Sequence, residues 1–191
     1  MTFFDRDTDE LDLPSQTQFF SYLSKTGLTG LVILGTNAEA FLLTREERKI
    51  LIATARATVG EHFPIIAGVG GHSTKQVLEH IADAAEAGAD YVLVLPPAYF
   101  GKATTEVVIR RFFGDVAEKS ALPVVIYNFP GVCNGVDLDS DLIADLAKEY
   151  ANIVGVKLTC GSVAKIVRLA AELPKEEFAV FGGQSDFLIG G

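Results

Sequence analysis

Three features of the 191-residue sequence predict a parallel α/β architecture. Short apolar runs rich in β-branched residues recur six times, at intervals of about 25 to 34 residues. Helix-like segments with N-terminal caps lie between them, the alternation that parallel βα units require. Each run ends in a loop with polar, glycine or proline residues, among them Thr36, Asn37, Tyr99, Tyr127, Lys157, Thr159 and Ser185. An open doubly wound sheet concentrates its chemistry at one switch point, whereas a barrel collects it from many strand ends. Candidate residues spread around a whole rim therefore favour a (β/α)8 TIM barrel. Six strands are legible of the eight a barrel needs, so the first is expected before Thr2-Phe3-Phe4 and the eighth after Gly191. The chain reads as a single domain, residues 1–191, trimmed at both ends.

Residues 5 to 14 are acidic and turn-like, and Pro14 suits the first turn of a helix running through Phe19, Phe20, Tyr22 and Leu23 to a stop at Gly27. Gly30 to Leu34 is the first strand, a continuous apolar run of the kind covered on both faces, and it breaks at Gly35-Thr36-Asn37-Ala38-Glu39. Thr44-Arg45-Glu46-Glu47 is a capping box for a helix reaching about Val59. Strand Pro64 to Val69 follows, then a second capping box, Ser73-Thr74-Lys75-Gln76, and a helix ending at Ala87-Gly88. The next strands are Tyr91 to Leu95, Pro123 to Tyr127 and Ile153 to Thr159, with helices from about Thr105 to Lys119 and Asp139 to Tyr150 between them. Ser162 caps the helix after the fifth strand, and Phe178 to Phe181 is the sixth, with a loop from Gly182 to Asp186.

With 49% hydrophobic and 21% charged residues, the chain has ample material for one core. A net charge of −9 and no basic stripe argue against nucleic acid or an anionic membrane as partner and point to small-molecule chemistry. Two cysteines, Cys133 and Cys160, are too few and too loosely spaced for a disulfide framework or zinc site, and they suit a reducing compartment. No basic-then-apolar leader opens the sequence, which places the protein in the cytoplasm, or in mitochondria if an N-terminal extension is missing.

The stretch Ile153-Val154-Gly155-Val156-Lys157-Leu158-Thr159 organises the rest. Alternation along a strand puts Ile153, Gly155 and Lys157 on one face and Val154 and Val156 on the other. A lysine at the mouth of an apolar interior is poorly hydrated as a cation, which makes a neutral amine available to attack a carbonyl, as Schiff-base chemistry requires. A strand-end lysine that simply snorkels to water is the bland alternative. Tyr127, on the Val125 face of the preceding strand, points toward the same cavity in a barrel and suits proton transfer during imine formation; as an alternative it caps the top core layer. Gly35 to Glu39 offers a hydroxyl and amides to a carboxylate or phosphate, although it is neither a dinucleotide motif nor a P-loop. Gly68 to His72 is weighted as structural, and Cys160 as a buried structural thiol. His62, His72 and His80 show no metal-ligand spacing, so no metal is expected.

These residues resemble a known family, the class I aldolases of the dihydrodipicolinate synthase and N-acetylneuraminate lyase group. Gly35-Thr36-Asn37-Ala38-Glu39 is similar to the family's G-T/S-T/N-G-E loop. Tyr127-Asn128-Phe129-Pro130-Gly131 resembles its Y-N-x-P segment, Val154-Gly155-Val156-Lys157 its lysine strand, and Pro97-Ala98-Tyr99 its P-x-Y loop. The resemblance spans essentially the whole chain. It implies a (β/α)8 barrel, a homo-oligomer (dimer or tetramer), no cofactor beyond a covalent imine on Lys157, and proton transfer by Tyr127. It further implies a relay extended by Thr36 and by Tyr99 across a dimer interface, a substrate carboxylate held by Asn37 and the loop amides, and pocket roles for Thr159 and Gly183.

Departures narrow the expectation. Val132 stands where synthases that condense pyruvate with aspartate semialdehyde carry an arginine for the second carboxylate. Asn37 is more like the hydroxyoxoglutarate and 2-keto-3-deoxy sugar acid aldolases, and Ala38 replaces a family glycine. The implied activity is cleavage of a 2-oxo acid of those types to pyruvate or glyoxylate and an aldehyde or oxo acid. A 4-hydroxy-tetrahydrodipicolinate synthase-type condensation is one alternative. A catalytically inactive barrel fragment acting as an oligomer partner is the other, since missing strands leave sheet edges unpaired.

Overall fold

The computed structural model describes residues 1–191. Helix α1 (Leu13–Leu23) opens with Asp12 accepting from the Ser15 amide, and α2 (Arg45–Val59) carries the expected reciprocal capping box of Thr44 and Glu47. The chain then alternates β2 (Ile65–Gly68), α3 (Thr74–Glu86), β3 (Tyr91–Val94), α4 (Glu106–Lys119), β4 (Val124–Asn128), α5 (Ser140–Glu149), β5 (Ile153–Leu158), α6 (Val163–Glu172), β6 (Ala179–Gly182) and a short α7 (Phe187–Gly190), with β1 at Leu31–Ile33. The six strands form one parallel sheet in sequential order, β1 to β6.

One face of that sheet is sealed by the helices. Ile65, Ala67, Val92, Val94, Val124, Ile126, Val156 and Leu158 are all fully buried there, in a core shared with Leu51, Ile81, Phe113, Leu146 and Leu169 of the helices. Burying each large aliphatic side chain contributes roughly 1.5–3 kcal/mol, so this layer dominates the fold. The opposite face curls around a cavity of about 760 Å³ into which every strand sends a side chain: Val32, Ile66, Leu93, Val125, Lys157 and Phe181. The architecture is thus a half-barrel, with β1 and β6 at its edges.

Four local expectations are revised. Helix α1 stops at Leu23 because its end tightens into i→i+3 bonds from Lys25 and Thr26, with Gly27 taking φ +85. The second capping box is half-formed: Ser73 accepts from the Gln76 amide, but the Gln76 side chain turns back to the His72 amide. Strand alternation does not put Ile153 with Lys157, because the β4–β5 register shifts between Val124 and Val125 and leaves Val154 as the extra residue. Val154 therefore lines the cavity with Lys157, and Ile153 is buried on the helix side. Helix α7 had no periodic signal.

Arg48 of α2 is 8% exposed and donates to the Gly68 (3.1 Å) and Gly70 carbonyls, tying α2 to the exit of β2. Gly68 permits that crossing, since a side chain there would lie 1.9 Å from the Leu34 carbonyl oxygen, and Leu34 itself is held at φ +60. His80 sits beside Arg48, 3.5 Å from its guanidinium, and burial followed by that positive charge lowers the imidazole below its ordinary value of 6.5. A histidine that resists protonation in the native state binds fewer protons than in the unfolded chain, so stability is full above about 6.5 and falls as the pH drops below it. Urea midpoints are expected to fall between about pH 7 and pH 5, and His80→Gln to flatten that slope; an unchanged slope refutes the assignment.

Cys133 and Cys160 are free thiols. Burial pushes Cys133 up to about 11, whereas Cys160 is only half-buried, against the expectation of a buried thiol. No group of three or more His, Cys, Asp or Glu side chains is placed to hold a metal ion, and no helix is long and apolar enough to cross a membrane.

Candidate active site

Register places Tyr127 of β4 directly beside Lys157 of β5. Lys157 Nζ lies 3.4 Å from Tyr127 Oη and 4.4 Å from the centre of its ring. Thr36, on the short 3-10 turn Thr36–Ala38 after β1, places Oγ1 3.3 Å from the same phenol oxygen. A continuous line of polar atoms, Nζ to Oη to Oγ1, is thus assembled from residues 91 and 30 positions apart in sequence. Tyr127 is 4% exposed, while Lys157 is half-buried at the cavity wall, so amine and phenol meet where an apolar interior opens to solvent.

The turn that carries Thr36 is built to leave donors free. The Ala38 and Glu39 amides are used by the Gly35 and Thr36 carbonyls, so the Thr36 and Asn37 amides at the start of the turn have no partner within it. Amides at the start of such a turn are suited to an anion. Asn37 is exposed on the same turn. Gly68 and Gly70 line the narrow cleft that Thr36 and Tyr127 share.

On the other side of Lys157, Thr159 is 7% exposed and its hydroxyl oxygen is buried with no hydrogen-bond partner. An unpaired buried hydroxyl costs roughly 1–3 kcal/mol, the kind of deficit retained where a ligand group completes the bond. Gly183 packs over it, its amide donating to the Leu158 carbonyl at 2.7 Å. A side-chain carbon at Gly183 would lie 2.0 Å from Thr159 Oγ1 and 3.2 Å from Lys157 Cε. Gly183→Ala is expected to destabilise the fold by about 1–3 kcal/mol in urea titration and to displace Lys157. Adding Thr159→Ala should recover part of the stability, and no recovery would mean that the clash lies elsewhere.

Tyr99 stands apart from this group. It is 73% exposed and stands within an aromatic row, edge-to-face with His72 at 6.0 Å and with Phe100 at 5.2 Å between ring centres, Phe41 lying 5.7 Å beyond His72. Within one chain it reaches neither Tyr127 nor Thr36. Val132, 45% exposed on the turn Pro130–Val132, presents no charge to the site.

Sequence reasoning missed a buried lysine. Lys165 of α6 is 8% exposed, pairs with Asp137 and donates to the Leu138 carbonyl at 2.7 Å. Its signal was a lysine within the apolar stripe of Ile166, Leu169 and Leu173. Arg48 carries the same signal beside Leu51, Ile52 and Ala55.

A parallel half-barrel whose strand ends bring a lysine, a tyrosine and a threonine into one line defines a class of α/β protein with a polar cluster at its rim. The chain belongs to the dihydrodipicolinate synthetase family, whose model matches residues 1–189. It is 72% identical over 191 residues to a Coccidioides immitis (strain RS) protein that carries the provisional name mitochondrial 4-hydroxy-2-oxoglutarate aldolase, covering all of this chain and 61% of that one. It is 42% identical to the L-threo-3-deoxy-hexylosonate aldolase of Aspergillus niger, over 91% of this chain and 53% of that protein. Among solved structures, a dihydrodipicolinate synthase family protein from Coccidioides immitis superposes with a TM-score of 0.94 at 68% identity, over 100% of this chain and 60% of the other. YagE from E. coli K12, in complex with pyruvate, superposes with a TM-score of 0.89 at 35% identity, over 98% and 62%. The chain spans about three-fifths of the length of the first of these relatives.

Proposed function

We propose that the protein is a class I aldolase that cleaves a 2-oxo acid, 4-hydroxy-2-oxoglutarate or a 2-keto-3-deoxy sugar acid, through an imine on Lys157. The observation that carries this reading is the contact of Lys157 Nζ with Tyr127 Oη, itself linked to Thr36 Oγ1. The Lys157 amine adds to the C2 carbonyl to give a carbinolamine, and loss of water with a proton delivered through Tyr127 gives the iminium. The iminium accepts the electron pair of the C3–C4 bond as the C4 hydroxyl loses its proton and becomes the carbonyl of the departing fragment. The enamine left on Lys157 takes up a proton at C3, and hydrolysis releases pyruvate; from 4-hydroxy-2-oxoglutarate the second product is glyoxylate.

In this reading the free Thr36 and Asn37 amides hold the C1 carboxylate, and the unpaired Thr159 hydroxyl bonds the hydroxyl or carboxylate of the distal fragment beside Gly183. No cofactor is needed, because the imine is the electron sink. Tyr99, exposed within its aromatic row, reaches the relay of a second copy in a dimer or tetramer. The mitochondrial name of the Coccidioides immitis relative supports that compartment for this chain over the cytoplasm. Val132 disfavours the dihydrodipicolinate-forming condensation, which needs a cation for a second carboxylate at that turn.

Borohydride reduction in the presence of pyruvate is expected to leave a reduced pyruvyl adduct on Lys157, located by peptide mass spectrometry. Pyruvate release from a panel of 2-oxo acids then ranks the substrates. Folded protein without the adduct would eliminate the imine.

A further inference from the structure

Next to the lysine and tyrosine lies a partly buried polar network that the proposed chemistry does not use. Asn128 follows Tyr127 on β4 and has no exposed surface. Its side chain donates to the Asp137 carboxylate (2.7 Å) and the Leu138 carbonyl (3.2 Å), and its side-chain oxygen accepts from the Leu138 amide (3.0 Å). Lys165 reaches from α6 to the same Asp137 oxygen and to the Leu138 carbonyl. The main-chain carbonyl of Asn128 accepts from the Thr159 amide (2.8 Å), two residues beyond Lys157. One cluster therefore joins the strand bearing the phenol, the strand bearing the amine, helix α6 and the far end of the loop 129–138.

An ion pair whose carboxylate is 45% exposed is weak evidence for stability, because solvent screens it. What hydrogen bonds add is direction. The loop contains two left-handed residues, Asn134 at φ +52 and Gly135 at φ +78, and its Phe129 ring lies 5.9 Å from the Tyr127 ring. Its course over the site is set by tethers at its ends, of which this network is one. The Lys157–Tyr127 and Tyr127–Thr36 contacts, at 3.4 and 3.3 Å, already lie at the outer limit of hydrogen bonding, so a small displacement of β4 against β5 breaks the line.

We propose that Asn128, Asp137 and Lys165 are positioning residues that hold the Tyr127 phenol at proton-transfer distance from Lys157, and that Lys165 serves as a fixed cation rather than a second imine-forming amine. The proposal rests on the imine reading above. It is tested with Lys165→Met and, at a half-exposed position that keeps the side-chain shape, Asp137→Asn. Three measurements are made on each folded variant: turnover, borohydride trapping of pyruvate, and amide hydrogen exchange. Turnover is expected to fall about 10- to 100-fold in kcat with KM within about threefold, the cost of misplacing a reacting group by a fraction of an ångström to an ångström. Lys157 should still take the pyruvyl label, and the Thr159 and Leu138 amides should exchange faster than other strand amides. Unchanged kcat in either folded variant, a loss confined to KM, or a pyruvyl label on Lys165 in the unsubstituted protein would overturn the proposal. If the unsubstituted protein takes no label on Lys157, the imine reading fails separately. The exchange rates of Thr159 and Leu138 then decide the tether: faster exchange in the variants upholds it, and unchanged exchange refutes it.

Discussion

Lys157→Met removes pyruvate release, with turnover falling by at least about 10⁴-fold, because without the primary amine no imine forms and the C3–C4 bond has no electron sink. Methionine preserves an unbranched side chain of similar length at the cavity wall, and no hydrogen bond other than that to Tyr127 Oη is lost. The fold should therefore survive, with a circular dichroism spectrum and melting point close to those of the unsubstituted protein. Coupled detection of pyruvate, with borohydride trapping as the parallel measurement, decides the matter. Turnover persisting above about one part in a hundred would show that catalysis proceeds through another group.

Tyr127→Phe is the second large effect. The ring that Lys157 overlies at 4.4 Å is retained, so packing on β4 changes little. What disappears is the single oxygen that joins Lys157 Nζ to Thr36 Oγ1. A positioned proton donor contributes typically 10²–10⁴-fold, so kcat is expected to fall by about that range while pyruvate can still be trapped on Lys157 on long incubation. Thr36→Val should cost less, since the phenol keeps its contact with the amine. Tyr127→Phe turnover equal to the parent would reduce the tyrosine to a core aromatic, the alternative that its sequence position leaves open.

The two experiments separate what each residue does. Loss of label in the first with retention in the second assigns covalent capture to the amine and proton movement to the phenol. Loss of label in both would make the phenol a condition for imine formation itself.

Much of this arrangement was legible because parallel βα units write themselves locally. The six apolar runs end within about two residues of the observed strands, and the caps at Thr44, Ser73 and Ser162 act as their residue types predict. Lys157 was legible because it is a cation at the end of an apolar strand. The Ile153–Val154 exchange was not, since a bulge depends on how two strands pair and not on either one alone. The Asn128–Asp137–Lys165 network was equally hidden: a buried lysine in an amphipathic stripe announces that it needs a partner, but not that the partner lies 28 residues away on another loop.

Order of elements, parallel sheet, strand ends and the identity of the candidate amine follow from residue pattern alone, because hydrophobic periodicity and capping act over a few residues. Distances belong to the fold. That Thr36, Tyr127 and Lys157 meet in one line, that Tyr99 faces outward, and that Thr159 is left with an unpaired hydroxyl under Gly183 were decided only when the sheet curled. Side chains remote in sequence become neighbours through strand register and through close backbone contacts such as Gly68 against Leu34, neither of which any local stretch encodes.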